Sequence, residues 1–364
     1  MARIVPSPLL PKIEADLQID HTTAGSFFLA ISTGYFIGLM GSGFISSRIT
    51  HRGTIVLSAI SIGLALIAIS MAHDTWSIWL TMLLIGLAAG LYLPSGISTL
   101  TSIVDRRHWG KALAIHELAP NLSFVAAPLV AESLMPLLSW KGVFIFLGLL
   151  SLVTGLIFAV LGKGGRFYGK APGLTALKAL FREPGFWIIT VMFGFGIGAT
   201  LGIFTMLPLF LVTEKGIEST MANTLVSFSR ISGIFVALVA GVISDRFGSR
   251  RTIFTVFLIT GLLTICLGVV DSHWGKLFLF LQPVVAVGFF PPGFTLLSSI
   301  GPESSRNVAV SFAVPIAILL GGGLLPLIIG LAGDLGSFGL GIALTGGMIF
   351  IAAFLTFLLK IRPS

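Results

Sequence analysis

Long apolar stretches recur along almost the whole sequence and leave few folds open to it. Eleven of them are roughly 20 residues or longer, the length that a helix needs to cross a bilayer core about 30 Å thick. They lie near residues 23–47, 53–72, 76–103, 109–135, 140–161, 185–213, 219–244, 252–270, 274–300, 306–333 and 337–360. Backbone groups in lipid must be bonded within the protein, which makes helices the default spanning element. The sequence therefore predicts an all-α polytopic membrane protein.

The composition excludes most other classes. Charged residues make up 10% of the 364 residues, against about 25% in an ordinary soluble domain. A single cysteine, Cys266, rules out an internal disulfide and a cysteine metal cluster. The formal net charge of +8 arises from basic residues between the apolar stretches. We therefore predict contact with the lipid bilayer, no nucleic-acid partner, no cofactor and no metal.

Lysine and arginine are distributed unequally between alternate loops. Of the 22 such residues, sixteen lie in one set of loops, five in the other, and Arg230 lies inside an apolar stretch. The smaller set consists of Arg3, Lys12, Lys141, Lys215 and Lys276. Because cytoplasmic loops carry the excess of basic residues, we expect the larger set and the C-terminus to be cytoplasmic, in a plasma (cell inner) membrane.

The two halves of the sequence are related by an internal repeat. A shift of 198 residues aligns them without a gap through five stretches. The matched pairs include Gly43 with Gly241, Arg48 with Arg246, Arg52 with Arg250, Trp76 with Trp274, Pro94 with Pro292 and Pro128 with Pro326. An even number of helices separates equivalent points, so both halves have the same orientation in the membrane. We predict halves at 1–162 and 185–364, joined by a cytoplasmic linker at 163–184.

The repeat also bears on the beginning of the sequence. Met1 corresponds to Ala199, midway along the stretch at 185–213, so the first half lacks about half of its first helix. One explanation is a start site assigned too far downstream or a shortened chain. The alternative is a genuine eleven-span protein.

A short motif in a basic loop resembles a signature of the major facilitator superfamily. Residues 241–251 read GVISDRFGSRR and match the superfamily's G-x3-D-R-x-G-x-R-R loop motif at every fixed position. The matching residues are Gly241, Asp245, Arg246, Gly248, Arg250 and Arg251. The resemblance, which covers essentially the whole chain, implies two six-helix bundles with pseudo-two-fold symmetry and secondary transport. The resemblance further implies a gating latch, in which the motif's aspartate and arginines pair with each other and with helix dipoles and favour one state of the gate. The alternative is that the arginines only anchor the loop on the cytoplasmic side.

The first-half copy of this motif is degenerate. Gly43, Arg48 and Arg52 are retained, whereas Ser47 and Thr50 stand where the motif has aspartate and glycine. The carboxylate of the latch is therefore missing from this copy.

Arg230 is the clearest candidate for binding a solute. It lies 15 residues before Asp245, about 22 Å along a helix from the motif. An arginine at that depth keeps its charge and needs an anionic or polar partner. Some anion carriers of the superfamily similarly use an arginine in this helix. We therefore weigh a small anionic substrate against a structural ion pair with Glu117 or Glu132.

His116 and Glu117 are the candidates for proton coupling. Histidine titrates near neutral pH, and burial raises the pKa of a carboxyl group. The alternative is that Glu117 pairs with Lys111, Arg107 or Arg230. Further residues that could line a solute cavity are Asn121, Tyr35, Tyr92 and Gln282.

These observations favour a secondary transporter that moves a small solute by alternating access. The sharper hypothesis is a monomer that carries a small organic or inorganic anion with a proton, as a symporter. Export of apolar or drug-like compounds is the alternative, although Met82 stands where drug–proton antiporters have arginine. A transport-dead sensor and a membrane enzyme are more remote; we predict no catalytic residues.

Overall fold

The computed structural model describes residues 1–169, 180–231, 233–270, 273–299 and 306–359. It divides into two compact units. Unit 1 comprises Met1–Ile19 and Phe27–Pro172, and unit 2 comprises Asp20–Ser26 and Gly173–Ser364. Part of the predicted linker, residues 170–179, lies outside the described residues. So do the chain end beyond residue 359 and the side chain of Arg306.

Unit 1 is built from long apolar helices. The helices are α1 (Pro6–Leu17), α2 (His21–Ala68), α3 (Thr75–Ile103), α4 (Trp109–Leu134) and α5 (Trp140–Leu161); the first residues of α2 belong to unit 2. Asp74 begins α3 as a capping box, because its carboxylate accepts from the Ser77 amide at 2.9 Å. Ser139 caps α5 in a similar way, accepting from the Gly142 amide at 3.2 Å.

Unit 2 contains more, shorter helices. They are α6 (Pro184–Ile197), α7 (Ile203–Thr213), α8 (Ser219–Ser229), α9 (Gly233–Phe247), α10 (Ser249–Val269), α11 (His273–Ala286), α12 (Phe290–Leu297), α13 (Arg306–Ile318), α14 (Leu325–Asp334) and α15 (Phe338–Ala352). Its core is rich in phenylalanine; the rings of Phe193 and Phe257 both pack on Phe289, at centroid distances of 5.0 and 4.8 Å.

The predicted spans correspond to helices with two differences. Nine helices among the described residues are long and apolar enough to cross a membrane. One of them, His21–Met71, contains the first two predicted stretches, with Thr50 as the break in its helical backbone. The stretch at 219–244 is not one continuous helix as predicted, because α8 ends at Ser229 before α9 begins at Gly233. Nine helices therefore correspond to eleven predicted stretches, because one helix contains two of the stretches and another stretch is divided.

The turn in each copy of the loop motif has the same unusual backbone. Gly248, between α9 and α10, has φ 87° and ψ 139°. Thr50, its counterpart at the repeat shift of 198 residues, has φ 71° and ψ 163°. A positive φ is easy for glycine and strained for a β-branched residue. The first half therefore keeps the motif's turn without its glycine.

The segment after α5 pairs with this turn in unit 1. The His51 amide donates to the Phe167 carbonyl at 3.1 Å, and the Arg52 amide donates to the Gly165 carbonyl at 2.8 Å. The Arg52 guanidinium donates to the Ala159 carbonyl at 3.0 Å, near the C-terminus of α5, where a cation is favoured. The start of the predicted linker is thereby fixed to unit 1.

Two π turns interrupt helices of unit 2 where those helices pack closely. Gly198–Gly202 separates α6 from α7, and Leu319–Leu324 separates α13 from α14. A Cβ atom on Gly321 would collide with the backbone of Gly194 and Gly198. Glycines at 194, 198 and 202 are spaced four residues apart, and small residues at this spacing allow helices to approach closely.

Asp334 closes the start of α2 within unit 2. Its carboxylate accepts from the His21 amide at 2.9 Å, from the Thr22 amide at 2.8 Å and from the Thr22 hydroxyl. The backbones also approach closely, because a Cβ atom on Gly330 would meet the His21 carbonyl. The first amides of a helix have no partner within it, so Asp334 acts as an N-cap supplied by a distant helix.

Candidate functional site

Arg230 occupies the break between α8 and α9 in unit 2. Its side chain is buried, with 7% of the residue exposed. Its Nη2 atom donates to the Thr200 carbonyl at 2.6 Å, and its guanidinium lies 4.7 Å from the Phe204 ring centroid. Thr200 lies within the π turn and Phe204 lies two residues beyond its end. A buried cation is thus held by a carbonyl dipole and an aromatic face.

Gln282, on α11, reaches the same π turn. Its Nε2 atom donates to the Ala199 carbonyl at 2.8 Å and to the Thr264 hydroxyl at 3.2 Å. Gln282 is 1% exposed and Thr264 is fully buried. Arg230 and Gln282, which the sequence proposes separately as solute-binding residues, therefore meet at the successive carbonyls of residues 199 and 200.

The π turn gives this cluster its geometry. Hydrogen bonds in a π turn span five residues instead of four, which disturbs the regular carbonyl ladder, and such turns are frequent at functional sites. Here two polar side chains from α11 and the α8–α9 break donate to its carbonyls. The arrangement fixes a positive charge inside an apolar bundle, where it interacts with an anion far more strongly than it would in water.

A second cluster lies in unit 1, between α3 and α4. The His116 ring joins two groups: its Nε2 atom lies 3.1 Å from the Tyr92 hydroxyl, and its Nδ1 atom lies 3.3 Å from Glu117 Oε1. The Tyr92 and His116 rings are stacked at 5.8 Å with an interplanar angle of 10°. The His116 side chain is 16% exposed and that of Glu117 is 58% exposed. These three side chains form the Tyr92–His116–Glu117 path, a chain of contacts within hydrogen-bonding distance.

The chemistry of the path follows from the two ring nitrogens. A neutral imidazole donates through one nitrogen and accepts through the other, whereas the protonated ring donates through both. With Glu117 ionised, Nδ1 carries the hydrogen and the Tyr92 hydroxyl donates to Nε2.

The structure places the remaining polar groups near Glu117 differently from the sequence alternatives. Asn121 donates from its amide to the Glu117 backbone carbonyl at 2.8 Å, so it adjoins the cluster. Arg107, which the sequence offers as a partner of Glu117, instead pairs with Asp105 at 3.0 Å. The reason is proximity: a single residue separates Asp105 from Arg107, and Asp105 also accepts from the Arg107 amide at 3.0 Å.

Tyr35 lies apart from this cluster in unit 1. It is 6% exposed, and the guanidinium carbon of Arg3 lies 3.8 Å from its ring centroid. The sequence count places Arg3 among the loop residues. The structure instead packs it on the face of an aromatic ring of α2.

The second-half loop motif lies at the α9–α10 turn. Asp245 is exposed, and the described part of the chain provides it with no hydrogen bond or ion pair. Arg246 lies over the Phe247 ring at 5.6 Å and Arg250 over the Phe357 ring at 5.5 Å. Arg251 is exposed. The predicted latch pairing of this aspartate with the arginines is not among these contacts.

The first-half motif residues lie at the α2 turn of unit 1. Gly43 is half-buried and Arg48 is exposed, whereas Arg52 binds the end of α5 as described above. Arg52 thus has helix carbonyls as partners in the copy that lacks the motif's carboxylate.

Sequence reasoning misses several residues of these clusters. Thr200 and Ala199 take part through backbone carbonyls, which no side-chain pattern reveals. Phe204 and Thr264 resemble ordinary core residues in the sequence. Arg3 could have been found from the repeat, because the shift of 198 residues places it opposite Leu201, inside a span.

The chain is similar to known transporters. It is 24% identical over 373 residues to a gallate transporter of Pseudomonas putida, covering 89% of this chain and 82% of that protein. It is 21% identical over 350 residues to the 4-hydroxybenzoate transporter PcaK of Pseudomonas aeruginosa, covering 85% and 77%. Both relatives are named for aromatic carboxylic acids.

The fold is also found among solved structures. A bacterial homologue of the human lysosomal transporter Spinster, in an inward-facing and occupied conformation, matches with a TM-score of 0.81 at 15% identity, covering 100% of this chain and 95% of that one. The profile of the Major Facilitator Superfamily matches residues 1–314 and 211–364. The protein is therefore a multi-pass membrane protein with the all-α fold of secondary transporters, and it belongs to the major facilitator superfamily.

Proposed function

We propose that this protein transports a small organic anion, an aromatic carboxylate in the first instance, by alternating access. The observation that carries the proposal is Arg230, a buried arginine held at a π turn by the Thr200 carbonyl and the Phe204 ring. An arginine fork matches the geometry of a carboxylate, and Phe204 offers a face for an aromatic ring. The names of the two relatives agree with this class of solute.

In this proposal Arg230 exchanges a carbonyl partner for the carboxylate of the substrate. Gln282 keeps its bond to the neighbouring Ala199 carbonyl and maintains the π turn meanwhile. A charged pair in a low-dielectric site is strongly favoured over a charge facing a neutral dipole. Arg230 therefore acts as the charge anchor of the solute.

Proton coupling belongs to the Tyr92–His116–Glu117 path in this proposal. Uptake of a proton by this path offsets the negative charge of the anion, so the protein operates as a proton symporter. The halves 1–162 and 185–364 move about the linker at 163–184, and the motif at 241–251 biases the gate on the cytoplasmic side. The C-terminus lies in the cytoplasm and the protein resides in the plasma membrane.

Uptake into proteoliposomes tests the proposal. We expect radiolabelled 4-hydroxybenzoate to accumulate when an inward proton gradient is imposed, and Arg230→Gln to abolish accumulation. Arg107→Gln is the matched control, because it removes an exposed arginine that pairs with Asp105 two positions earlier in the chain, and it should transport normally.

A second variant separates coupling from binding. Glu117→Gln should lose gradient-driven accumulation but keep exchange of labelled for unlabelled solute, since exchange needs no net proton movement. Glu132→Gln on the same helix is the control.

Equal transport by Arg230→Gln and the wild type, or transport of lipophilic cations instead, would favour the exporter hypothesis.

A further inference from the structure

Thr200 contributes two groups to the surroundings of Arg230, and the proposed function uses only one of them. Its backbone carbonyl accepts from the Arg230 guanidinium at 2.6 Å. Its hydroxyl donates to the Gly196 carbonyl at 3.0 Å and to the Ile197 carbonyl at 3.2 Å. Thr200 is buried, so both of its groups act inside unit 2. A single residue therefore connects the charge anchor to the helical turn that precedes it.

The two carbonyls that accept from the hydroxyl lie directly before the π turn Gly198–Gly202. Within this turn the Ile203 amide donates to the Gly198 carbonyl, five residues earlier instead of four, which disturbs the regular ladder of carbonyls. A threonine hydroxyl that bonds back to a carbonyl of its own helix often bends that helix. At Thr200 the back-bond falls inside the π turn, and the carbonyl of the same residue accepts from Arg230.

Thr190 makes the same kind of back-bond in a regular part of the same span. Its hydroxyl donates to the Phe186 carbonyl at 2.7 Å, four residues earlier, and Thr190 is fully buried within α6. A back-bond alone is thus an ordinary property of a threonine in a helix. Thr200 differs from Thr190 because its back-bond lies in a π turn and its carbonyl holds a guanidinium.

Neighbouring helices hold the π turn on either side of Thr200. The Ala199 carbonyl accepts from Gln282 at 2.8 Å. A Cβ atom on Gly202 would collide with the Gly321 carbonyl, so the backbones pack closely there. The Thr200 hydroxyl adds a bond within the turn itself, and this bond fixes the residue that lies between those two contacts.

We infer that Thr200 is a positioning residue for the recognition of the solute carboxylate, and that it acts through its hydroxyl. The hydroxyl fixes the orientation of residue 200, and the carbonyl of that residue holds the Arg230 guanidinium in one orientation until the carboxylate replaces it. A guanidinium that is ordered in advance loses less freedom when the carboxylate binds, so the affinity is higher. The inference rests on the proposed function, because it explains how the charge anchor of the same site is oriented.

Calorimetry with 4-hydroxybenzoate and the purified full chain in detergent tests the inference. Thr200→Val keeps the branched shape and removes the hydroxyl, and it should weaken binding about three- to tenfold, the cost of ordering one long side chain on binding. Thr200→Ser keeps the hydroxyl and should bind as the wild type does. Thr190→Val is the matched control, because it removes the same kind of back-bond from the regular helix, and it should also keep the wild-type affinity.

Thermal unfolding of the same variants separates positioning from stability. Thr200→Val and Thr190→Val each lose one buried hydroxyl that bonds to its own helix, so their unfolding temperatures should fall by similar amounts while only Thr200→Val loses affinity. Thr200→Ala and Thr190→Ala repeat the comparison with the residue that favours helix most. The result therefore does not depend on the folding of the valine variants.

The outcomes distinguish the inference from the proposed function. If 4-hydroxybenzoate does not bind the wild type, or binds Arg230→Gln equally well, the anion carrier is wrong and the inference with it. If the acid binds the wild type but not Arg230→Gln, and Thr200→Val or Thr200→Ala binds as the wild type does, the anion carrier stands and the positioning role is wrong. Loss of affinity in Thr190→Val or Thr200→Ser equal to that in Thr200→Val also overturns the inference.

Discussion

Gly248 and Gly241 allow backbone strain to be measured within one motif. Gly248 has φ 87° and Gly241 lies within helix α9, and a Cβ atom added to either would meet no atom within 4 Å. Substitution by alanine therefore creates no collision at either position. Any difference between the two variants must come from the backbone conformation.

The two substitutions should change the free energy of unfolding in opposite directions. At Gly248 an alanine is forced into a region that costs a residue other than glycine about 1–3 kcal/mol. At Gly241 an alanine gains roughly 0.5–1 kcal/mol, because glycine is the poorer residue within a helix. We therefore expect the free energies of unfolding of Gly248→Ala and Gly241→Ala to differ by about 1.5–4 kcal/mol.

Denaturant unfolding in mixed micelles, followed by circular dichroism, measures this difference. The two variants differ from wild type by the same methyl group and the same motif, so each serves as the control for the other. Wild-type stability in Gly248→Ala, or an equal loss in both variants, would refute the reasoning about φ.

Four further changes follow from the fold and the clusters. Thr50→Gly should stabilise the protein by about 1 kcal/mol, because relief of the strained positive φ outweighs the greater entropy of the unfolded chain and the loss of the hydroxyl cap. Chemical unfolding measures this change, and an unchanged midpoint would contradict it. Gly321→Ala should destabilise by roughly 1–3 kcal/mol through collision with backbone, whereas Gly347→Ala, with open space at its Cβ, should not; thermal unfolding compares them. Gln282→Leu should lower the free energy of unfolding by about 1 kcal/mol or more, because it removes two buried hydrogen bonds. Unchanged stability would show that Gln282 does not stabilise the π turn. The Ser77 amide holds the pKa of Asp74 below its usual value. The resulting stabilisation is fully present above about pH 4 and is lost as the pH falls through the pKa of the folded state. Unfolding measured against pH should show this loss in the wild type and not in Asp74→Asn.

The sequence predicts the helices well because hydropathy and the repeat depend on residue type alone. It does not predict the break at Arg230, where the side chain donates to a carbonyl of another helix, because hydropathy gives no information on such tertiary contacts. Helix α2 presents the opposite case: the sequence divides it into two stretches, and the structure shows a break in helical geometry at a single residue, Thr50.

Prediction of the clusters depends on what their members contribute. Arg230, Gln282 and His116 are visible in the sequence because polar groups within apolar stretches are rare. Their partners are less visible, because every residue type has a backbone carbonyl such as the one that Thr200 provides. The sequence proposes partners for Glu117 that lie several residues or more away, whereas its observed partner is the adjacent His116.

The cap at the start of α2 has a consequence for biosynthesis. The His21 amide and the Asp334 carboxylate that accepts from it are 313 residues apart in the chain. Translation is sequential, so α2 enters the membrane long before its capping carboxylate leaves the ribosome. Until then the His21 and Thr22 amides, which donate to Asp334 in the folded chain, must be satisfied by water or headgroups. Chains that end before residue 334 should therefore remain open to protease at the beginning of α2, although every residue of that helix is present.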